Sequence, residues 1–425
     1  CPAGKNEAAM IRKIYIENFR SIRKEDLPLG KITVLTGANN SGKSSILYGL
    51  MVLQDFVFNP NQSLEELFAL PFINLGGFSE VKSKGVTLDP AIDFIKLGVT
   101  FNADEYEYLN MERNQLRYSL LLKKGRTLIN LNSVNCNFNF NAFLDIGLPY
   151  SGSIEKSFIA VNNRDERGLK FKWNGFHAEV NSSPAPTNRE EQELAFILNS
   201  PARMLSTTDF VPISRGFTKP FYNLVPMTGI VNTEEEIATM LKTENRADTF
   251  TMVNMYLEEI AERILEMPSN GTPGLFSLKS KNTKTGQSNY LVNEGSGTNQ
   301  LVTILAKIFQ YNKRFICIDE PEIHLHPSMV RKLANAFVDI ATEPMGGHQF
   351  LVSTHSEHFV QALLASVAQG VIKPNDLKIY HLESTDAGTK IELQEVNEKG
   401  QIEGGLSHFY ASELSELKSM FKLVG

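Results

Sequence analysis

Apolar and polar residues alternate over 11–17, and 31–36 is more continuously apolar; both patterns predict strands. Over 44–57 the period changes. Ile46, Leu47, Leu50, Met51 and Leu53 recur at helical spacing, so a strand, a glycine-containing loop and a helix follow one another directly. From about 86 to 180 the pattern is β-rich, with strand candidates at 92–101, 115–122 and 169–173, whereas the Asn/Phe-rich stretch 132–141 fits no single period. A Ser/Pro run at 182–186 reads as a linker. Helical periodicity returns at 233–242 and 248–267 without the sustained heptads of a coiled-coil arm. Residues 275–292 read as a hairpin whose turn carries Lys279, Lys281 and Lys284. Beyond them helices (297–310, 329–341, 356–369) alternate with buried strands (314–318, 349–353). A hairpin at 378–382 and 390–396 and a helix at 411–423 follow.

There is no internal repeat. Apolar strands alternating with helices at both ends predict one α/β domain, with parts at 11–125 and 271–425. The segment 126–270 then reads as an insertion, β-rich first and helical afterwards.

Composition narrows the function classes modestly. The 425 residues are 42% hydrophobic and 21% charged, an ordinary globular balance with enough chain for a sizeable core. A formal net charge of −6 excludes a global basic field for nucleic acid but leaves room for a local patch. Cys1, Cys136 and Cys317 are far apart and form neither a CxxC pair nor a zinc pattern, which implies a reducing, cytoplasmic compartment. No apolar run is long enough to span a membrane, and residues 1–9 lack the apolar core of a signal peptide.

Candidate chemistry is concentrated in three places. Gly37-Ala38-Asn39-Asn40-Ser41-Gly42-Lys43-Ser44 matches GxxxxGK[ST] and lies between a predicted strand and a predicted helix, the context this phosphate cradle requires. Glycines let backbone N–H groups curl around phosphate oxygens, and the helix N-terminus adds partial positive charge. Lys43 would neutralise β- and γ-phosphates, and Ser44 would ligate Mg²⁺. Phe315-Ile316-Cys317-Ile318-Asp319-Glu320 is an apolar strand ending in two acids at the carboxyl edge of a parallel sheet. There Asp319 suits the outer coordination sphere of Mg²⁺, and Glu320 suits the base or orienter for attacking water. Ser353-Thr354-His355-Ser356 ends the next buried strand, where His355 suits a γ-phosphate sensor. His324, His326 and His358 lack a third ligand at zinc spacing and read as turn histidines.

Together these segments resemble the ABC-type ATPase heads of the RecF, SMC and OLD families. The likeness is strongest to the bacterial OLD/RecF-like group that includes PtuA-type ATPases of anti-phage systems. It covers roughly 11–80 and 275–425. Ile16-Glu17-Asn18-Phe19-Arg20-Ser21 is similar to the NFRS opening of these heads, which implies that Arg20 contacts a nucleotide phosphate. Asp319-Glu320-Pro321-Glu322-Ile323-His324-Leu325-His326-Pro327 is similar to DEPExHLHP, and His355 matches the switch histidine. Glu294-Gly295-Ser296-Gly297-Thr298-Asn299-Gln300 stands where the ABC signature belongs. It departs from LSGGQ toward a GxGxxQ form, so Ser296, Gly297 and Thr298 are all candidates for contact with a partner subunit's nucleotide. Gly76–Glu80 resembles the GxFxDL region but supplies no Q-loop glutamine, and Gln54 lies inside the first helix. Arg215, in Pro212-Ile213-Ser214-Arg215-Gly216, resembles a P-x-R element of these proteins, and a buried structural ion pair is an equal reading.

The resemblance implies a P-loop NTPase of the ABC-type head class, with a mixed α+β insertion. ATP and Mg²⁺ are the expected ligands. Ser45 and the loop residues Gly37, Asn39, Asn40, Ser41, Gly42, Lys43 and Ser44 complete the expected binding set. It also implies a homodimer or higher homo-oligomer, switching a separate effector protein such as a nuclease in anti-phage defence. A RecF- or SMC-like DNA repair or maintenance ATPase is the alternative, and contact with nucleic acid is left open. About seventy residues follow His355, with Asp376 and Asp386 far apart and no Asp-x-Asp pair, so this chain alone is not expected to cut DNA or RNA.

Overall fold

The computed structural model describes residues 10–83, 93–102, 115–134, 138–139, 141–150, 156–162, 165–176, 178–180, 189–227, 231–243, 247–344 and 347–402. At its centre a six-stranded sheet has the order Thr208–Val211, Phe315–Asp319, Gln349–Ser353, Ile32–Gly37, Leu377–Thr385, Gly388–Gln394. The first five strands are parallel, and the last turns back antiparallel.

Alternation along these strands divides the core in two. Leu35, Phe315, Cys317 and Leu351 face a cluster that includes the helix Lys43–Phe58. Ile32, Val34, Ile316, Ile318, Phe350 and Val352 face the opposite cluster, built with the helices Ser296–Ile308, Pro327–Thr342 and Glu357–Ala368. A sheet covered on both faces needs continuously apolar strands, and Phe315–Asp319 and Gln349–Ser353 are buried throughout.

A second, antiparallel six-stranded sheet covers the outer face of the helix Lys43–Phe58. Its order is Asn141–Ile146, Arg126–Val134, Gln115–Lys123, Ile95–Asn102, Ile11–Phe19, Ile22–Pro28. Gly49 lets the helix approach closely, since a Cβ there would meet Ile16 Cδ1 at 3.1 Å. Gln349 ties the two sheets: its Oε1 accepts from Ile11 N at 3.1 Å, and its Nε2 donates to the carbonyls of Ile11 and Gly30, both at 2.8 Å. This sheet runs without a break across residue 125. The strand Thr208–Val211, in the stretch read as an insertion, joins the parallel sheet.

Most predicted elements differ from those observed only at their ends. Two differ in kind. The helix expected over 248–267 stops at Ala247–Ala261, and the chain reverses at Glu262 (φ 56°) into the strand Arg263–Glu266. The hairpin expected over 275–292 is confined to Lys279–Asn282 and Ser288–Tyr290, while Leu275–Ser277 pairs with Phe221–Asn223 instead. The helix expected at 411–423 and the linker at 182–186 lie outside the described residues. Among the described residues no helix is long and apolar enough to cross a membrane.

Candidate functional site

The phosphate loop forms where the strand Ile32–Gly37 leaves the sheet for the helix Lys43–Phe58. Gly37 (φ 137°) and Gly42 (φ 102°) adopt backbone conformations that side chains disfavour, and both are crowded. A Cβ on Gly37 would stand 2.1 Å from the Leu382 carbonyl oxygen, and one on Gly42 2.5 Å from Thr389 Oγ1. Asn39 and Asn40 form the exposed crest, while Ser41 and Ser45 are buried beneath it. Lys43 Nζ folds inward and donates to the carbonyls of Gly37 (3.0 Å) and Ala38 (2.9 Å). Burial lowers the Lys43 pKa; Glu320, Asp319 and Glu322 oppose that shift and favour the charged ammonium.

Asp319 arrives from the neighbouring strands at the same edge. Its carboxylate accepts from Ser44 Oγ at 3.2 Å and from the buried Ser353 hydroxyl, and Tyr48 OH lies 3.5 Å from its other oxygen. The backbone then turns left-handed at Glu320 (φ 47°), a conformation uncommon for a residue with a side chain and frequent at functional sites. Two anchors hold it. Glu320 N–H donates to Ser353 O at 3.0 Å and Oγ at 3.2 Å, and the Arg215 guanidinium grips the peptide carbonyls on either side. Arg215 donates to Asp319 O at 2.7 Å, Glu320 O at 2.6 Å and Pro212 O at 2.8 Å. The expected buried ion pair is not what the geometry shows for Arg215, whose guanidinium braces backbone carbonyls instead of pairing with a carboxylate among the described residues. Burial pulls its pKa down to about 10, against the pull of Glu322, Asp319 and Glu320.

Glu320 and His355 meet across the strand ends. His355 Nε2 stands 3.1 Å from Glu320 Oε1, within ion-pair reach but off the line of a hydrogen bond. The imidazole holds the Glu320 carboxyl below its ordinary range, against the opposing effect of burial. His355 is in turn placed by Glu322, whose Oε1 accepts from His355 N and from Thr354 Oγ1, both at 2.7 Å. Burial raises the Glu322 pKa.

Lys43, Ser44, Asp319, Glu320 and His355 are thus brought together. Arg20 lies beside them, left-handed (φ 54°), exposed, with its guanidinium 5.6 Å from the Tyr48 ring centre. Ser296, Gly297 and Thr298 open a helix that packs on the segment following Asp319: a Cβ on Gly297 would stand 2.5 Å from the His324 carbonyl oxygen. Gly297 is buried against its own chain, and Ser296 is exposed. Asn299 fixes this arrangement through Phe217, accepting from its N–H at 2.7 Å and donating to its carbonyl at 2.8 Å.

Sequence reasoning missed Ser353, Tyr48, Ser21 and Thr389 as site neighbours. Ser353 was legible in principle, as the last residue of a buried strand beside Asp319; Ser21 closes the NFRS stretch, which points only to Arg20, and Tyr48 and Thr389 carry no motif. His326 caps its helix through Ser328, His358 contacts Arg331, and no metal-ligating cluster of three His, Cys, Asp or Glu occurs among the described residues. Lys281 and Lys284 are paired with Glu266 (3.5 Å) and Glu262 (2.7 Å), so their charge is locally neutralised.

The donor set fits a hard divalent cation. Ser44 hydroxyl and Asp319 carboxylate oxygens converge at the mouth of the phosphate loop, with oxygen ligands of the kind Mg²⁺ requires.

Residues 32–361 match the family described as "AAA domain, putative AbiEii toxin, Type IV TA system". The chain is 24% identical over 364 residues to Endonuclease GajA of Bacillus cereus (strain VD045), across 81% of this chain and 55% of GajA. It therefore spans about half the length of that relative. It is 21% identical over 378 residues to an ATP/GTP phosphatase of Helicobacter pylori (strain ATCC 700392 / 26695), across 83% of this chain and 87% of that protein. Among solved structures, the SMC head domain from Thermotoga maritima aligns over 91% of this chain and 99% of its own, at 13% identity and a TM-score of 0.44. A family match across most of the chain, enclosing the phosphate loop, the acidic strand end and the histidine, places this chain in that AAA-domain family as a P-loop ATPase.

Proposed function

We propose that the chain is a dimeric ATPase switch that controls a separate effector, such as a nuclease, in bacterial anti-phage defence. The observation that carries this reading is the division of the site. The hydrolytic groups converge at one sheet edge, whereas the exposed Ser296 and the start of its helix are attached behind the acidic segment. A second copy would offer Ser296 and Thr298 to the nucleotide held by the first. The resemblance to OLD- and PtuA-type ATPases supports the defence role, and the 24% identity to an endonuclease supports a link to nucleic-acid cleavage.

In this mechanism the backbone N–H groups of Gly37–Ser45 cradle the phosphates and Lys43 neutralises their oxygens. Arg20 faces the phosphates from the neighbouring turn. Ser44 and Asp319 would hold Mg²⁺, which would supply positive charge against the phosphate oxygens. Glu320 accepts a proton from the water that attacks the γ-phosphorus. The bond to the β–γ bridging oxygen breaks, giving ADP and phosphate. His355, next to Glu320, senses the γ-phosphate and orients the acid.

Glu320→Gln tests the assignment. It should bind ATP with near wild-type affinity, hydrolyse it about a hundredfold or more slowly, and accumulate as an ATP-bound dimer in size-exclusion chromatography. Wild-type turnover in this variant, or full activity from a sample that stays monomeric, would sink the reading.

A further inference from the structure

The closing hairpin, Leu377–Thr385 and Gly388–Gln394, brackets the phosphate loop although it lies more than three hundred residues further along the chain. At the loop's start, the Leu382 carbonyl presses on Gly37, and Thr36 Oγ1 donates to Tyr380 O at 3.1 Å. At its end, Thr389 packs on Gly42. The Thr389 hydroxyl lies 2.9 Å from Ser41 O and 2.7 Å from Ser21 Oγ. A hydroxyl carries one proton, so both contacts are satisfied when Thr389 donates to the Ser41 carbonyl and accepts from Ser21. Thr389 N–H also donates to Ser21 O at 2.8 Å. Ser21 directly follows Arg20. One buried side chain therefore joins the phosphate loop to the turn that carries Arg20.

We propose that Thr389 is a positioning residue for nucleotide binding, which sets the separation between the phosphate loop and Arg20. The inference rests on the reading of residues 37–44 as the nucleotide's phosphate cradle. Gly42 N–H and its neighbours must point inward together for the cradle to close on phosphate, and the Ser41 carbonyl, which shares a planar peptide with Gly42 N–H, is the point at which Thr389 fixes that peptide's rotation. Valine in place of Thr389 keeps the volume, sets a methyl group against the Ser41 carbonyl and Ser21 Oγ, and leaves a buried acceptor without its donor. Serine keeps the donor and gives up only a methyl group.

The test is direct ATP binding by the purified full chain, with steady-state kinetics and thermal unfolding of each nucleotide-free variant. Thr389→Val should raise the Kd for ATP about tenfold, the size of one lost buried hydrogen bond. KM should rise in parallel, with a smaller fall in kcat. Thr389→Ser should recover most of the affinity. A merely structural threonine would lower the unfolding midpoint and leave Kd where it was, and that result overturns the proposal. Lys43→Ala separates the two levels of argument. If it abolishes binding while Thr389→Val binds like wild type, the positioning role is wrong and the cradle stands. If Lys43→Ala also binds like wild type, the cradle assignment itself falls. Should Thr389→Val fail to fold, Ser21→Ala removes the other end of the bridge and should weaken ATP binding in the same direction; unchanged affinity there refutes the proposal.

Discussion

At the scale of single residues, the candidate site depends on a backbone conformation that its own side chain disfavours. Glu320 is held left-handed by Ser353 on one side and by the Arg215 guanidinium on the other. A planar fork can grip three carbonyls at once, and an ammonium cannot reproduce that geometry. Arg215→Lys should therefore bind ATP within about threefold of wild type yet turn over roughly ten to a hundred times more slowly, as a misplaced catalytic group does. Unchanged kcat in steady-state assays would show that Glu320 needs no such brace. The motif residues were legible in the sequence because phosphate chemistry constrains both their types and their spacing. Arg215 was legible only as an oddity. The two carbonyls it braces around Glu320 lie 104 and 105 positions away, and carbonyls leave no mark on sequence.

Among elements, the buried strands and the helices between them were readable because a two-sided sheet demands uninterrupted apolar runs. Two-sided signals misled where periods overlap. The apolar residues around Ile264 and Leu265 continue a helical spacing, yet the chain turns at Glu262 and they enter a strand. Gln54, too early in the chain for a Q-loop glutamine, has a different task. Its buried amide donates to Leu205 O at 2.9 Å and Thr208 O at 2.8 Å, tying the helix Lys43–Phe58 to the edge strand Thr208–Val211. Thr208 O keeps a second donor in Lys313 Nζ at 3.0 Å, so only the Leu205 carbonyl would be stranded by removing the amide. Gln54→Leu should thus cost about 1–3 kcal/mol in urea unfolding. A loss under about 0.5 kcal/mol, the size of an ordinary surface substitution, would mean the tie is unimportant.

At the scale of the whole molecule, one source of pH dependence lies away from the candidate site. His348 is buried between Phe309 and Phe350, and desolvation, aided by the nearby Arg314 charge, lowers its pKa to about 4. In the unfolded chain it would take up a proton near pH 6.5. Its contribution is therefore fully present above pH 6.5 and lost as pH falls from there toward 4, by roughly 3 kcal/mol at most. The difference in stability between wild type and His348→Gln should shrink or reverse in that window; a difference constant from pH 7.5 to 4.5 would contradict the assignment. The sheet order has a consequence of another kind, in the timing of synthesis. The strand Ile32–Gly37 hydrogen-bonds to Gln349–Ser353 on one side and to Leu377–Thr385 on the other. A ribosome adding 5–20 residues per second delivers those neighbours about 300 residues later, after roughly 15–60 s. Throughout that interval the nascent chain holds its nucleotide loop on a strand with both edges unpaired by their final neighbours. The strand that carries the phosphate loop lacks both of its final neighbours until the last third of the chain has been translated, and a chain truncated before Leu377 would leave that strand edge open to aggregation.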